Sequence, residues 1–308
     1  MGWKRAGLVA ALLACRAVAG EGAGPADDLI RALKDHQKSL GIPQTRNFEV
    51  HLSAREAFFR CYYTGKLELP DSYDELEFAE GTAAGCSLDP TRYDVFFYPA
   101  EAVADGEAPV TVSLASASPE RQAVVVAHED LHQMLERLPV HVAEAATTLA
   151  GFLTAADFAR HRWGESSAPY QSLAREAELF LAKASLVNSF HRRLRELYLR
   201  VRHGEIGVPE ALALKERIFG ELERECLAIA PEPKTFNRCP AALNNAGLAF
   251  DYTYTNHYGR LWELYEALGR NLGRLIETLV TLARRPGNER ETLEALQRAI
   301  AEAPPAAN

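Results

Sequence analysis

A chain of 308 residues with 34 Lys and Arg against 42 Asp and Glu, a formal charge of −8, has material for one large domain or two ordinary ones. Its 47 % apolar and 25 % charged residues exclude a disordered or fibrous chain. The acidic balance, which reaches −11 once the first nineteen residues are set aside, argues against nucleic acid or an anionic membrane surface as a partner.

The first residues read as an export signal. Lys4 and Arg5 precede the apolar run "AGLVAALLA", which is too short to span a bilayer, and small residues follow. Residues 1–19 are therefore expected to be a signal peptide and 20–308 a single domain, exported to the periplasm or cell envelope. Two cleavage readings stand. "LLAC" ending at Cys15 resembles a lipobox, and a lipid there would be the one membrane attachment; "AVA" (Ala17–Ala19) fits the ordinary A-x-A rule. Cys61, Cys86, Cys226 and Cys239 remain, an even number suited to disulfides outside a reducing compartment. Neighbours pair most simply, as Cys61–Cys86 and Cys226–Cys239, although three connectivities exist and buried free thiols are the alternative.

In chain order, 26–40 reads as a helix with acids early and bases late. From 46 to 115 the pattern is irregular, with β-rich runs at Val95–Tyr98 and Pro109–Leu114. Ser118, Pro119 and Glu120 start a helix, and Pro139 enforces its stop. Amphipathic stretches then cover 142–160, 170–203, 207–228, 256–284 and 289–302. "PEPKTFNRCP" (231–240) is a Pro-rich break, and the tail "APPAAN" should fray. The expected class is α+β, predominantly α-helical, with no repeats and no linker.

"VVVAHEDLHQML" (124–135) lies inside the helix that Ser118 opens. His128 and His132 fall one turn apart on one face, the spacing at which two imidazoles meet one cation. Glu129 projects beside them, placed to meet a metal-held water. Asp130 is unusual: an acid near the metal would raise the pKa of that water unless it faces away. A catalytic zinc needs a third protein ligand and an open position. Past Pro139, "HVAEAATTLAGF" starts another helix, and Glu144 is positioned to swing back, with His141 the runner-up. Leu135 and Leu138 occupy the glycine and histidine positions that a three-histidine site would need. The expected cofactor is Zn2+, held by His128, His132 and Glu144.

Taken together, "HEDLHQ", "VAEAATTLAGF", the upstream "DVFFYPA", "FHRRLRELY" (190–198), "LKERIFGEL" (214–222) and "LNNAGLAFDYTYTNHYGRLWEL" (243–264) resemble a bacterial family of predicted zinc aminopeptidases, exported and often lipoproteins. The resemblance runs from about 90 to 285, with Asn244, Asn245, Ala246, Leu248, Thr253 and Tyr254 in register; Ala143 stands where the family has Asn. It implies a zincin-like active-site helix preceded by a small β region, and a peptide substrate.

Within that block Tyr254 is the first candidate to stabilise an oxyanion, His257 the second and Tyr258 the third. Packing against the next helix is the plain alternative. Asn244 and Asn245 either bind substrate or cap a helix. Thr147 and Thr148 either support a ligand or bond back to their own helix. The Arg-rich 191–203 stretch reads as a solvated face. The leading expectation is a zinc peptide hydrolase with Glu129 as base. Its rivals are a non-catalytic zinc-stabilised envelope protein that binds peptides or partner proteins, and a metal-free helical scaffold.

Overall fold

The computed structural model describes residues 25–103, 107–231, 239–285 and 287–303. The signal-peptide reading, Cys15 included, most of the 231–240 break and the expected frayed end lie outside these residues. Helix α1 (Pro25–Ser39) buries Leu29, Ile30 and Leu33 on the pair formed later by α3 and α4. Two short strands, β1 (His51–Leu52) and β5 (Val110–Thr111), pair in parallel. Between them, β2 (Phe58–Gly65), β3 (Glu77–Glu80) and β4 (Tyr93–Ala100) form an antiparallel sheet in the order β3-β2-β4, with Cys61 opposite Phe97 and Tyr62 opposite Phe96.

The expected β run at 109–114 is corrected. It stops after Val110–Thr111, and Val112–Ser116 turns into a short helix, α2. The Thr111 hydroxyl accepts from the Leu114 amide, and this cap outweighs the β preference of the valines and threonine. Strand β2 carries no alternating signal in its sequence, because "FFRCYYTG" has aromatics on both faces and so lacks the polar–apolar alternation of a half-exposed strand.

Helix α3 (Pro119–Leu135) begins on the Ser118 cap, as its sequence predicts. Gln122 anchors its start by donating to the carbonyls of Leu114, Ala115 and Ala117. Helix α4 (Val140–Trp163) is apolar nearly all round and runs through the centre of the molecule. Small side chains let it approach α3 closely. A Cβ on Gly151 would lie 3.3 Å from the His128 amide nitrogen, so the glycine permits the contact that brings the two helices' side chains together.

Around this pair stand α5 (Ala168–Arg202), α6 (Val208–Leu227), α7 (Asn245–Thr255), α8 (Tyr258–Ala267), α9 (Leu272–Ala283) and α10 (Glu289–Ala301). The single helix expected over 256–284 is therefore corrected to two. Gly269 and Arg270 both take positive φ (72° and 54°), which no helix continues through. Asn271 then caps α9 by accepting from the Arg274 amide. The result is a predominantly helical α+β fold with a small β region, a three-stranded sheet and a two-stranded one.

Two disulfides, Cys61–Cys86 and Cys226–Cys239, take the nearest-neighbour connectivity. They suit a non-reducing compartment. Among the described residues no helix is long and apolar enough to cross a membrane.

A buried ion pair fixes α7 on α5. Lys183 Nζ lies 2.7 Å from Asp251 Oδ1, with both side chains at most 1 % exposed, and Asp251 Oδ2 also accepts from the Ala241 amide. Removing one partner of such a pair strands a buried charge. Lys183→Met is expected to lower unfolding free energy by about 3 kcal/mol in urea titration; a change below about 1 kcal/mol would show that the pair contributes little.

Candidate metal site

A cavity of about 750 Å³ opens between α3 and α4 on one side and the sheet with α7 on the other. His128 and His132 enter it from α3, one turn apart, and Glu144 enters from the first turns of α4. The Nε2 atoms of the two histidines are 3.0 Å apart. Glu144 Oε2 lies 3.4 Å from His128 Nε2 and 3.3 Å from His132 Nε2. Each residue thus offers a ligand atom, and the three lie within 4.8 Å of one another.

The donor set fits a zinc ion. Two imidazoles and one carboxylate are the ligand types zinc takes at three protein positions, and the adjoining cavity provides the open fourth. Glu144 is 6 % exposed, yet its Oε2 has no hydrogen-bond partner. A buried carboxylate oxygen is seldom left so, and a cation between it and the imidazoles would satisfy it. Glu144 Oε1 is already held: the Tyr73 hydroxyl donates to it at 2.7 Å. Tyr73 is itself fixed by its amide, which donates to Thr253 Oγ1 at 2.8 Å. One oxygen is therefore tied to protein and the other is turned toward the imidazoles.

Electrostatics follow the same geometry. Burial alone would raise the Glu144 pKa, but the two imidazoles outweigh it and hold the carboxyl far below its usual range. Burial would lower the His132 pKa, and Glu144 more than reverses it, so His132 is pushed up. Burial pushes the Glu129 carboxyl up, partly opposed by the charges of His128 and His132. Glu129 lines the cavity beside the three candidate ligands.

Asp130 points the other way. It accepts from Thr45 and from Asn47 at 3.1 Å, and Lys34 Nζ on α1 lies 3.3 Å from it. The extra acid of the motif thus serves to dock α1 against α3, behind the site. Its side chain is absent from the cavity wall.

Tyr254 on α7 lines the cavity, its ring 6.3 Å from that of His128 and 6.2 Å from that of Tyr73. Burial first, and then the charge of Glu144, push its phenol well above the ordinary value, so it stays protonated. His257 is not brought to the cavity: its Nε2 pairs with Glu289 Oε1 on α10 at 2.5 Å, and its ring meets His141. Tyr258 donates to the Ala177 carbonyl and packs on Phe180. His141 packs on Tyr252 as well and does not line the cavity. Thr147 Oγ1 bonds back to the carbonyls of Ala143 and Glu144 and lies 3.5 Å from His128 Nε2.

The two asparagines are structural. Asn244 caps α7 through the Gly247 amide and donates to the Val95 carbonyl. Asn245 donates to the carbonyls of Lys66 and Glu68 and accepts from the Tyr198 hydroxyl. Together they pin α7, and with it Tyr254, to the sheet. The Arg-rich face of α5 pairs outward, Arg193 with Glu221 and Arg195 with Asp71.

Tyr73 is the contact the sequence does not announce. It lies in an irregular segment, without a motif, and meets Glu144 across 71 positions. A group that holds a ligand's second oxygen commonly governs metal affinity about 10–100-fold. Tyr73→Phe is expected to weaken zinc binding by that order in a chelator competition, with the fold intact by circular dichroism; unchanged affinity would remove Tyr73 from the site.

No family model matches the chain, and no curated protein or solved structure is significantly similar to it.

Proposed function

We propose that the protein is an exported, zinc-dependent peptide hydrolase, and that α3 is a zincin-like active-site helix preceded by a small β region. The observation that carries this reading is the convergence of His128, His132 and Glu144 at the wall of a cavity that also receives Glu129. The paired cysteines support the exported location.

A zinc ion there would polarise a peptide carbonyl and make water acidic enough to attack it near neutral pH. Glu129 takes the proton from the attacking water and returns it to the leaving amine. Burial gives its carboxyl a raised pKa, which suits a group that must both accept and release a proton. Tyr254 donates its phenolic hydrogen to the developing oxyanion, and its raised pKa keeps that hydrogen in place. Tyr73 holds Glu144 in one orientation throughout. Aromatic walls from Tyr62, Tyr98 and Phe250 exclude bulk water and accept apolar side chains.

The test is product analysis by mass spectrometry after incubating purified protein with a mixed library of short peptides. Cleavage that stops on chelation and returns with zinc is the expected result. Bound zinc without any product would overturn hydrolysis and favour a non-catalytic zinc-stabilised envelope protein that binds peptides.

A further inference from the structure

The cavity wall carries one guanidinium among its carboxylates, and the hydrolytic mechanism gives it no task. Arg60 sits on β2, two residues from Tyr62, and lines the same cavity as the candidate ligands. It stands opposite Glu80 and Tyr98 in the sheet register. Nevertheless, among the described residues no carboxylate lies within ion-pair distance of it. By contrast, Arg121 on the neighbouring α3 has an acidic partner, Glu101 at 2.6 Å, as do Arg193 and Arg195 of α5.

Its orientation is fixed by other means. The guanidinium carbon lies 5.2 Å from the centre of the Phe78 ring, and the group also meets the Tyr62 hydroxyl. Stacking occupies the flat face of a guanidinium and leaves the in-plane N–H groups that are not turned to Tyr62 able to meet a carboxylate. A preoriented cation at the wall of a partly enclosed aromatic cavity, with no carboxylate in ion-pair contact, can take an anion that enters there.

The shared cavity with the metal site suggests which anion. The Tyr62 ring lies 6.3 Å from that of Tyr73, whose hydroxyl holds Glu144. We propose that Arg60 binds the free terminal carboxylate of the substrate, so that the site selects short peptides whose C-terminus lies within the same cavity as the candidate metal ligands. This rests on the peptide-hydrolase reading and names its substrate class. Long chains and terminal amides would leave the guanidinium without an anionic partner and so bind more weakly.

Binding tests this separately from turnover. Zinc-loaded Glu129→Gln protein is titrated calorimetrically with the tripeptide Phe-Ala-Phe and with its C-terminal amide. Charge-assisted hydrogen bonds predict that the acid binds about tenfold tighter or more. Arg60→Gln in the same background should bring that ratio toward one, and Arg60→Lys should retain part of it, since charge survives without the fork. Thermal unfolding identifies a variant that has not folded, and the lysine variant then carries the comparison. Equal binding of acid and amide, or a ratio that survives Arg60→Gln, would overturn the proposal. The same titration on metal-free protein separates the two readings: an acid preference without any zinc binding keeps Arg60 and discards the metal site.

Discussion

His132→Ala is expected to abolish stoichiometric zinc binding while leaving a folded protein. The side chain supplies one of three ligand atoms, and what remains, His128 Nε2 and Glu144 Oε2 at 3.4 Å, gives only two. Loss of a direct ligand should exceed the roughly 100-fold upper range for losing a supporting hydrogen bond. The substitution also leaves Glu144 buried with one fewer positive neighbour, so some loss of stability accompanies it. Equilibrium dialysis against zinc, read by elemental analysis, checks the affinity. In the metal-free protein Glu144 raises the His132 pKa, so His132 holds its proton more strongly there than a free imidazole does. Zinc must displace that proton. Wild-type zinc affinity should therefore rise as pH rises through the neutral range, with protons released on binding, and the proton release should shrink in His132→Ala.

Glu129→Gln separates binding from chemistry. Glutamine keeps the shape of the side chain and removes its capacity to take a proton. Positioned general acid–base groups commonly contribute about 100- to 10,000-fold, so kcat for peptide hydrolysis should fall by about a thousandfold. Zinc content should stay at the wild-type value, because Glu129 is not one of the three converging residues. Its carboxyl is half-buried at the cavity wall and desolvation raises its pKa; neutralising it removes a partly desolvated charge, and stability should hold or rise. Parallel peptide assays and metal analysis on wild type and variant check both parts. Undiminished hydrolysis in the variant would refute Glu129 as the base.

Much of the candidate site was legible because its parts are local. Ser118 and Pro119 set the start of α3, and helical spacing alone puts His128 and His132 on one face. Pro139 separates α3 from α4, so Glu144 falls early in the next helix, where an antiparallel return brings it back to the histidines. The parts that sequence did not reveal depend on long-range packing. Asp130 is turned away by Lys34, Thr45 and Asn47, partners 83 to 96 positions distant. Tyr73 and Arg60 reach the cavity from a segment whose aromatic-rich strands lack a period-2 pattern. The break between α8 and α9 did leave a signal, Gly269 followed by Asn271, but an uninterrupted apolar periodicity on both sides masked it. Asn244 and Asn245 could be told apart from substrate-binding groups only through their partners on β4 and in the segment after β2.

The most direct measurement is anomalous diffraction at the zinc edge from crystals of the full-length protein grown with zinc. The account predicts a single strong peak about 2.0–2.2 Å from His128 Nε2, His132 Nε2 and a Glu144 oxygen. An absent peak, or one that leaves any of these three side chains out of coordinating distance, would contradict it.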